Sequence, residues 1–347
     1  MENRMSTRKD GGKKSAWPAL FLMILTLLPH AVLAASDDKL IEAAKKERAV
    51  TLWTSSDLRT ATALVQRFEK NYPFLKVNVF RTGTGALHNK ITTESLAGQH
   101  NWDVMNTLMP TRELIDRKLF ARYSSPEAAM LADQGLRDPA GHWTAIYAIP
   151  YVLGYNTNLV KAQDAPKSYD ELLGAQWKGG KISIDQDGYE LLQGLIHSWG
   201  KEKAVDYLKR LAAQQPVARR GNSLRVQLAA AGEHPLLITM ASPLQLARRD
   251  GAPLNWIALE PVPVSFHAIA VAEHAAHANA AKLYVDFILS REGQETLRGV
   301  QRIPVRKDVE ADPPILFQGY SRIMLQPVKR EDFNEVVALY KRIFGLR

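Results

Sequence analysis

Arg81, Thr82, Gly83, Thr84 and Gly85 stand together in the stretch FRTGTGALHNK (80–90), between a short apolar run and a helical pattern. An arginine, two hydroxyls and two glycines at a helix start suit an anion held by backbone N–H groups. The loop is not a dinucleotide fingerprint, because His88 stands where the third glycine belongs, and it lacks the Gly-Lys-Ser/Thr ending of a phosphate-binding P-loop. A second polar cluster, ARRGNSLR (218–225), brings Arg219, Arg220, Asn222 and Ser223 to another helix start, with Arg225 read as solvent-facing. A third, DQDGYE (185–190), places Asp185 and Asp187 before a helix. Two carboxylates could do acid–base work; Asp187 with Glu190 three residues on fits a capping box better.

Reactive constellations are otherwise scarce. The chain carries neither a Gly-x-Ser-x-Gly elbow nor a His-Glu-x-x-His metal motif. His274 and His277 could share a metal on one helical turn, yet AEHAAHANAA reads more naturally as a polar turn entering a helix. With no cysteine there are no disulfides and no thiolate metal ligands. No cofactor is expected.

The elements that must hold these residues alternate. AVTLWTS (49–55) is a buried strand after a charged helix at 38–48, and RTATALVQRFEKNYP is a helix with Leu64, Val65 and Phe68 on one face. KVNVF is a strand, a helix runs from about Ala86 to Leu96, and WDVMNTL is a third strand. At HWTAIYAIPYVLGYNTNLV two extended runs flank Pro150, with Tyr147, Tyr151 and Tyr155 in a strand pattern. Alternation then resumes until PVPVSFHAIAVAE (261–273), again extended, and a helix at 278–289. Such βαβ alternation implies an α/β protein with mainly parallel sheets flanked by helices. Two such units bounded by crossing strands predict two lobes that trap a ligand between their loops.

The N-terminus predicts export. Arg4, Arg8, Lys9, Lys13 and Lys14 precede a ten-residue run, Ala19–Leu28, and small residues follow at Val32 and Ala34. This is a signal-peptide pattern, too short for the roughly 20 residues of a membrane span. Cleavage near Ala34 or Ala35 would leave 313 residues with 40 basic and 34 acidic side chains. The excess is dispersed, so no nucleic-acid partner is expected. Without a cysteine to carry lipid after the signal, the expected product is soluble, periplasmic and monomeric.

YNTNLV, APKSYDELLGAQWKGGKISI, GNSLRVQLAAAGEHPLLI, HANAAKLYVDFILSREGQETL and RIPVRKDV, in this order and spacing, resemble the periplasmic solute-binding proteins of ABC importers, in the branch that includes ferric-ion-binding proteins. The resemblance implies the type II periplasmic-binding-protein fold: two α/β lobes joined by hinge strands. Lobe 1 would take residues 35–150 and 262–305, lobe 2 residues 151–261, and a C-terminal helical segment 306–347. It also implies an inner-membrane ABC permease with its ATPase subunits as partners. Ferric-binding relatives have adjacent tyrosines just after the strand that here reads LLITM; this chain has Ala241 and Ser242. Phenolates suit a hard trivalent cation, so ferric transport would need other ligands. Asn222 and Ser223 match an anion contact of those relatives; their anion-holding helix start reads Asp187-Gly188-Tyr189 here, where a carboxylate would repel an anion unless Asp187 turns away to cap.

The expected ligand contacts are Ser55, Ser56, Arg81, Thr82, Gly83 and Thr84 from the first lobe, with Asn106 or Thr107. From the second come Asp187, Tyr189, Arg220, Asn222, Ser223 and Ser242, with Tyr155 at the hinge. The arginines point to an anionic organic solute: an organophosphate, phosphonate or carboxylate. A secreted hydrolase or isomerase is the competing class, and no nucleophile–base pair supports it.

Overall fold

The computed structural model describes residues 28–109 and 112–346. The predicted signal peptide therefore lies largely outside the described residues. The chain divides into a unit ending at Lys39 and a unit from Leu40 onward.

Helix α1 (Leu28–Glu47) starts ten residues before the predicted charged helix, since AVLAA is itself a good helix former. There follow β1 (Ala49–Thr54), α2 (Leu58–Asn71), β2 (Lys76–Arg81), α3 (Thr84–Leu96), β3 (Val104–Leu108) and the short α4 (Arg112–Asp116). A long strand, β4 (Thr144–Asn156), leads to β5 (Ile182–Asp185), α5 (Tyr189–Trp199), α6 (Lys201–Ala212) and β6 (Val217–Arg219). Then come α7 (Asn222–Ala230), β7 (Leu236–Met240), α8 (Ala241–Arg249) and β8 (Leu254–Ile257). Strand β9 (Val262–Val271) precedes α9 (Ala278–Leu289), α10 (Arg291–Gly299), β10 (Ile303–Pro304), β11 (Arg322–Met324) and α11 (Arg330–Phe344).

The strands run β2-β1-β3-β9-β4-β7-β5-β6. At each end the pairs are parallel: β1 with β2 and β3, and β5 with β6 and β7. In the middle β4 and β9 run antiparallel to each other and to β7 and β3, while β11 pairs parallel with β9, so the architecture is mixed, as βαβ alternation interrupted by two long extended segments requires. The two extended runs around Pro150 are one strand, buried throughout. Thr144–Pro150 pairs with β9, and Tyr151–Asn156 pairs with β7 and β8. The change of partner falls at Pro150, whose missing N–H breaks the ladder there.

Each half has its own apolar core. In the first, Phe68 of α2 packs edge-on against Tyr284 of α9 at 4.9 Å, both fully buried. In the second, Leu192 and Leu195 of α5 meet Leu208 and Leu211 of α6, and α11 adds Leu339 and Tyr340. Helix α5 also approaches β9 closely: a Cβ on Gly194 would lie 2.6 Å from the Pro263 Cβ. Gly194→Ala is therefore expected to destabilise by about 1–3 kcal/mol through overpacking, read as a lower urea midpoint.

Candidate functional site

Three parallel-strand ends build the polar face of the first half. Ser55 follows β1, Thr107 ends β3 and Thr84 opens α3, and their hydroxyls form one chain. Thr84 Oγ1 donates to Ser55 Oγ at 3.0 Å, and Ser55 Oγ lies 3.2 Å from Thr107 Oγ1. His88, one turn into α3, reaches Thr107 Oγ1 at 3.1 Å. Burial pushes the imidazole down to about 4, against the attraction of Glu113, so His88 is neutral and one ring nitrogen remains an acceptor. Gly83 caps α3 without a side-chain hydrogen bond. The first-turn N–H groups therefore have no capping side chain, as an anion site requires.

A cavity of about 370 Å³ lies against this face, lined by Thr84, Gly85 and His88. Its other walls come from far along the chain. Tyr189 and Glu190 enter from the start of α5, Ser265 from β9, and Arg330 and Phe333 from α11. Tyr189 packs edge-on against Phe333 at 4.8 Å. Glu113 accepts from Arg330 Nη1 at 3.1 Å and from Arg117 Nε at 3.0 Å. Burial opposes its charge, but these hydrogen bonds hold its carboxyl below the usual carboxylate range. Glu190 is the reverse case. Desolvation pushes it up to about 7, with Asp185 and Asp187 acting in the same direction, so near neutrality much of it is the neutral acid.

The other expected contacts divide. Arg81 is exposed at the end of β2, and the Thr82 N–H pairs with the Thr54 carbonyl at 3.1 Å. Ser56 and Asn106 are closed off from solvent. Both bond to His267 Nδ1, at 3.4 and 3.2 Å, and Tyr147 stacks on that ring at 4.6 Å. In the second half only Tyr189 reaches the cavity. Ser223 is exposed on α7, and Ser242 lies half-buried in the first turn of α8. The Asn222 side-chain oxygen is occupied, accepting from Arg225 at 2.7 Å and Thr239 at 2.9 Å.

Three readings of the sequence are corrected by the structure. Arg225 does not face solvent: its side chain is 1% exposed, donating to Asp185 at 3.0 Å and to the Ile238 carbonyl at 2.7 Å. Asp187 forms no capping box, since Gly188 is the N-cap of α5 without a side-chain bond and Asp187 instead accepts from Arg220 Nε at 2.9 Å. A nearby cation outcompetes two backbone N–H groups for a carboxylate. Tyr155 does not line the cavity but lies in the second core, its hydroxyl accepting from Asn255 Nδ2 at 3.2 Å. Its place five residues beyond Pro150 puts it fully on the β7 side of the crossover. His277 is the N-cap of α9 and pairs through Nδ1 with Asp103 at 2.8 Å, in line with the polar turn entering a helix that its segment predicts.

Sequence reasoning overlooked His88, Glu113, Ser265, Arg330 and Phe333, and took Glu190 for a capping residue. A signal for Glu190 was present, because it falls with Leu191, Gly194 and Leu195 on the buried side of α5. The Glu113–Arg330 pair spans 217 positions and leaves no local trace.

The family described as bacterial extracellular solute-binding protein matches residues 111–324, more than half of the chain. The Fe(3+)-binding periplasmic protein of Serratia marcescens is 26% identical over 291 residues, covering 80% of this chain and 85% of the relative. Among solved structures, iron-bound HitA from Pseudomonas aeruginosa superposes with a TM-score of 0.73 at 23% identity, covering 85% of this chain and 99% of that one. AfuA from Actinobacillus pleuropneumoniae, with fructose-6-phosphate bound, gives a TM-score of 0.62 at 23% identity, covering 86% and 96%. At such identities the likeness establishes the two-lobed fold and leaves the ligand to the residues of the site.

Proposed function

Given that the chain belongs to the bacterial extracellular solute-binding protein family, we propose that it captures a small organic anion between its lobes and delivers it, from the periplasm, to an inner-membrane ABC permease. The observation that carries this reading is the start of α3, without a side-chain cap, beside the Ser55, Thr84 and Thr107 hydroxyls and against a cavity whose far wall belongs to α5 and α11. A solute seated there touches both lobes, and only such two-sided contacts can drive closure. Strands β4 and β9, shared by the lobes, are the proposed hinge.

The size and charge of the cavity favour an organic anion over a bare metal ion. About 370 Å³ is within the usual range for small-molecule sites. Of its two carboxyls, Glu113 is neutralised by arginines and Glu190, pushed up to about 7, is only partly charged near neutrality, which leaves little charge to bind Fe(III). Arg81 and Arg220, both exposed and outside the cavity lining, then act as long-range attractors, Arg220 with its charge partly met by Asp187. No turnover is proposed.

Thermal-shift screening tests the reading with inorganic phosphate, methylphosphonate, sugar phosphates, citrate, glycerol and ferric chloride. A true ligand at 100 times its Kd should stabilise by about 2.7 kcal/mol. Thr84→Val removes the hydroxyl that donates to Ser55 Oγ and orders the hydroxyl chain, and should weaken anion binding about two- to tenfold, as loss of one hydrogen bond of about 0.5–1.5 kcal/mol implies. A shift with ferric chloride alone would overturn the assignment.

A further inference from the structure

Two polar groups on the α5 and β9 walls of the cavity are left unused by anion capture at α3. Ser265 lines the cavity, is 1% exposed, and its Oγ has no hydrogen-bond partner among the described residues. A buried hydroxyl without a partner is costly, and a native structure that keeps one calls for an explanation. Glu190 lines the same cavity and is 5% exposed. A carboxyl on an otherwise apolar helix face, set in a cavity wall, adds nothing to the packing of α5 that leucine would not supply.

Burial favours the neutral form of Glu190, against a backbone hydrogen bond and the Tyr151 hydroxyl, which favour the charged form. The hydroxyls of Tyr151 in β4 and Tyr189 in α5 lie beside it, and Tyr340 approaches from α11. Asp185 and Asp187 add negative potential from the turn before α5. The cation in this layer, Arg225, is held by Asp185. Across the cavity, Arg330 is paired with Glu113 and His88 is neutral. A neutral acid both donates and accepts, and a serine hydroxyl does the same. Together they match the hydroxyl groups of a sugar or polyol, whereas an ionised carboxylate could only accept.

We propose that Glu190 and Ser265 form a second subsite that hydrogen-bonds the hydroxyl groups of a polyol bearing the anionic group, and so determine which organic anion is retained. The proposal rests on the anion-capture reading above and goes beyond it by assigning the uncharged part of the solute. It also makes retention proton-linked: loss of the Glu190 proton removes the donor and turns the subsite against a nearby anion.

The test is calorimetric titration of the protein with glycerol 3-phosphate, fructose 6-phosphate and methylphosphonate between pH 5.5 and 8.5. The wild type, Glu190→Gln, Glu190→Ala and Ser265→Ala are compared. At pH 6 at least one of the two polyol phosphates should bind the wild type about tenfold or more tightly than methylphosphonate, and both alanine variants should shrink that preference. Between pH 6 and 8.5 the wild-type affinity should fall about tenfold or more relative to Glu190→Gln, a ratio that cancels the ionisation of the phosphate itself. Equal affinity for all three probes, or a wild-type to Glu190→Gln ratio flat with pH, would overturn the second subsite while leaving anion capture standing. If no probe binds any of the proteins, anion capture falls, and the subsite with it.

Discussion

Replacing Arg225 by alanine is expected to cost about 3–5 kcal/mol of folding stability, the range for breaking a buried ion pair from one side. The guanidinium joins three chain ends. It donates to Asp185 at the end of β5, to the Asn222 side chain at the start of α7, and to the Ile238 carbonyl in β7. Alanine would leave the Asp185 carboxylate and the Ile238 carbonyl without this donor in a largely buried region, at the cost of their desolvation, while the Asn222 oxygen would keep its bond from Thr239. Lysine keeps the charge but presents one nitrogen where two now reach three acceptors, so Arg225→Lys should fall between the wild type and alanine. Urea unfolding at pH 7 reads the effect directly. A loss below about 1 kcal/mol for alanine would mean that Asp185 is served by water or by another donor, contrary to the geometry described.

The second large effect is a pH-dependent difference in stability between the wild type and Glu190→Gln. Glu190 is pushed up to about 7 in the folded protein from an ordinary value of 4.5, chiefly by desolvation. Below pH 4.5 it is protonated both folded and unfolded, and its contribution is fully present. As pH rises through 4.5 the unfolded chain releases the proton while the folded one retains it, so stability falls until the folded group also ionises near pH 7. Across that window the loss is about 3 kcal/mol, at about 1.36 kcal/mol per unit. Glutamine has no such dependence, and the remaining titrating groups are common to both proteins. The stability of Glu190→Gln relative to the wild type should therefore rise by about that amount between pH 4.5 and 7.5, as followed by guanidinium midpoints. A difference flat with pH would show that Glu190 is charged in the folded protein and paired with a cation.

These two residues mark where the sequence is informative and where it is not. The strands AVTLWTS, KVNVF and PLLITM, the helix at 278–289 and the α/β class follow from apolar spacing and turn residues, which act over a few positions. The order of the quoted segments carried the family resemblance in the same way. The start of α3 was legible too, since its arginine, threonines and glycines are contiguous.

The alternation of elements, the class of fold and one polar helix start are each written in neighbouring residues. The burial of Arg225, the turn of Asp187 to Arg220 and the wall that α11 lends to the cavity come from packing between distant parts of the chain. The partners concerned lie 40 positions apart for Asp185 and Arg225, 33 for Asp187 and Arg220, and 217 for Glu113 and Arg330. A polar side chain alone does not specify whether water or a distant partner satisfies it. That choice is made when two halves of the chain pack together, and burial then fixes both the partner and the charge state.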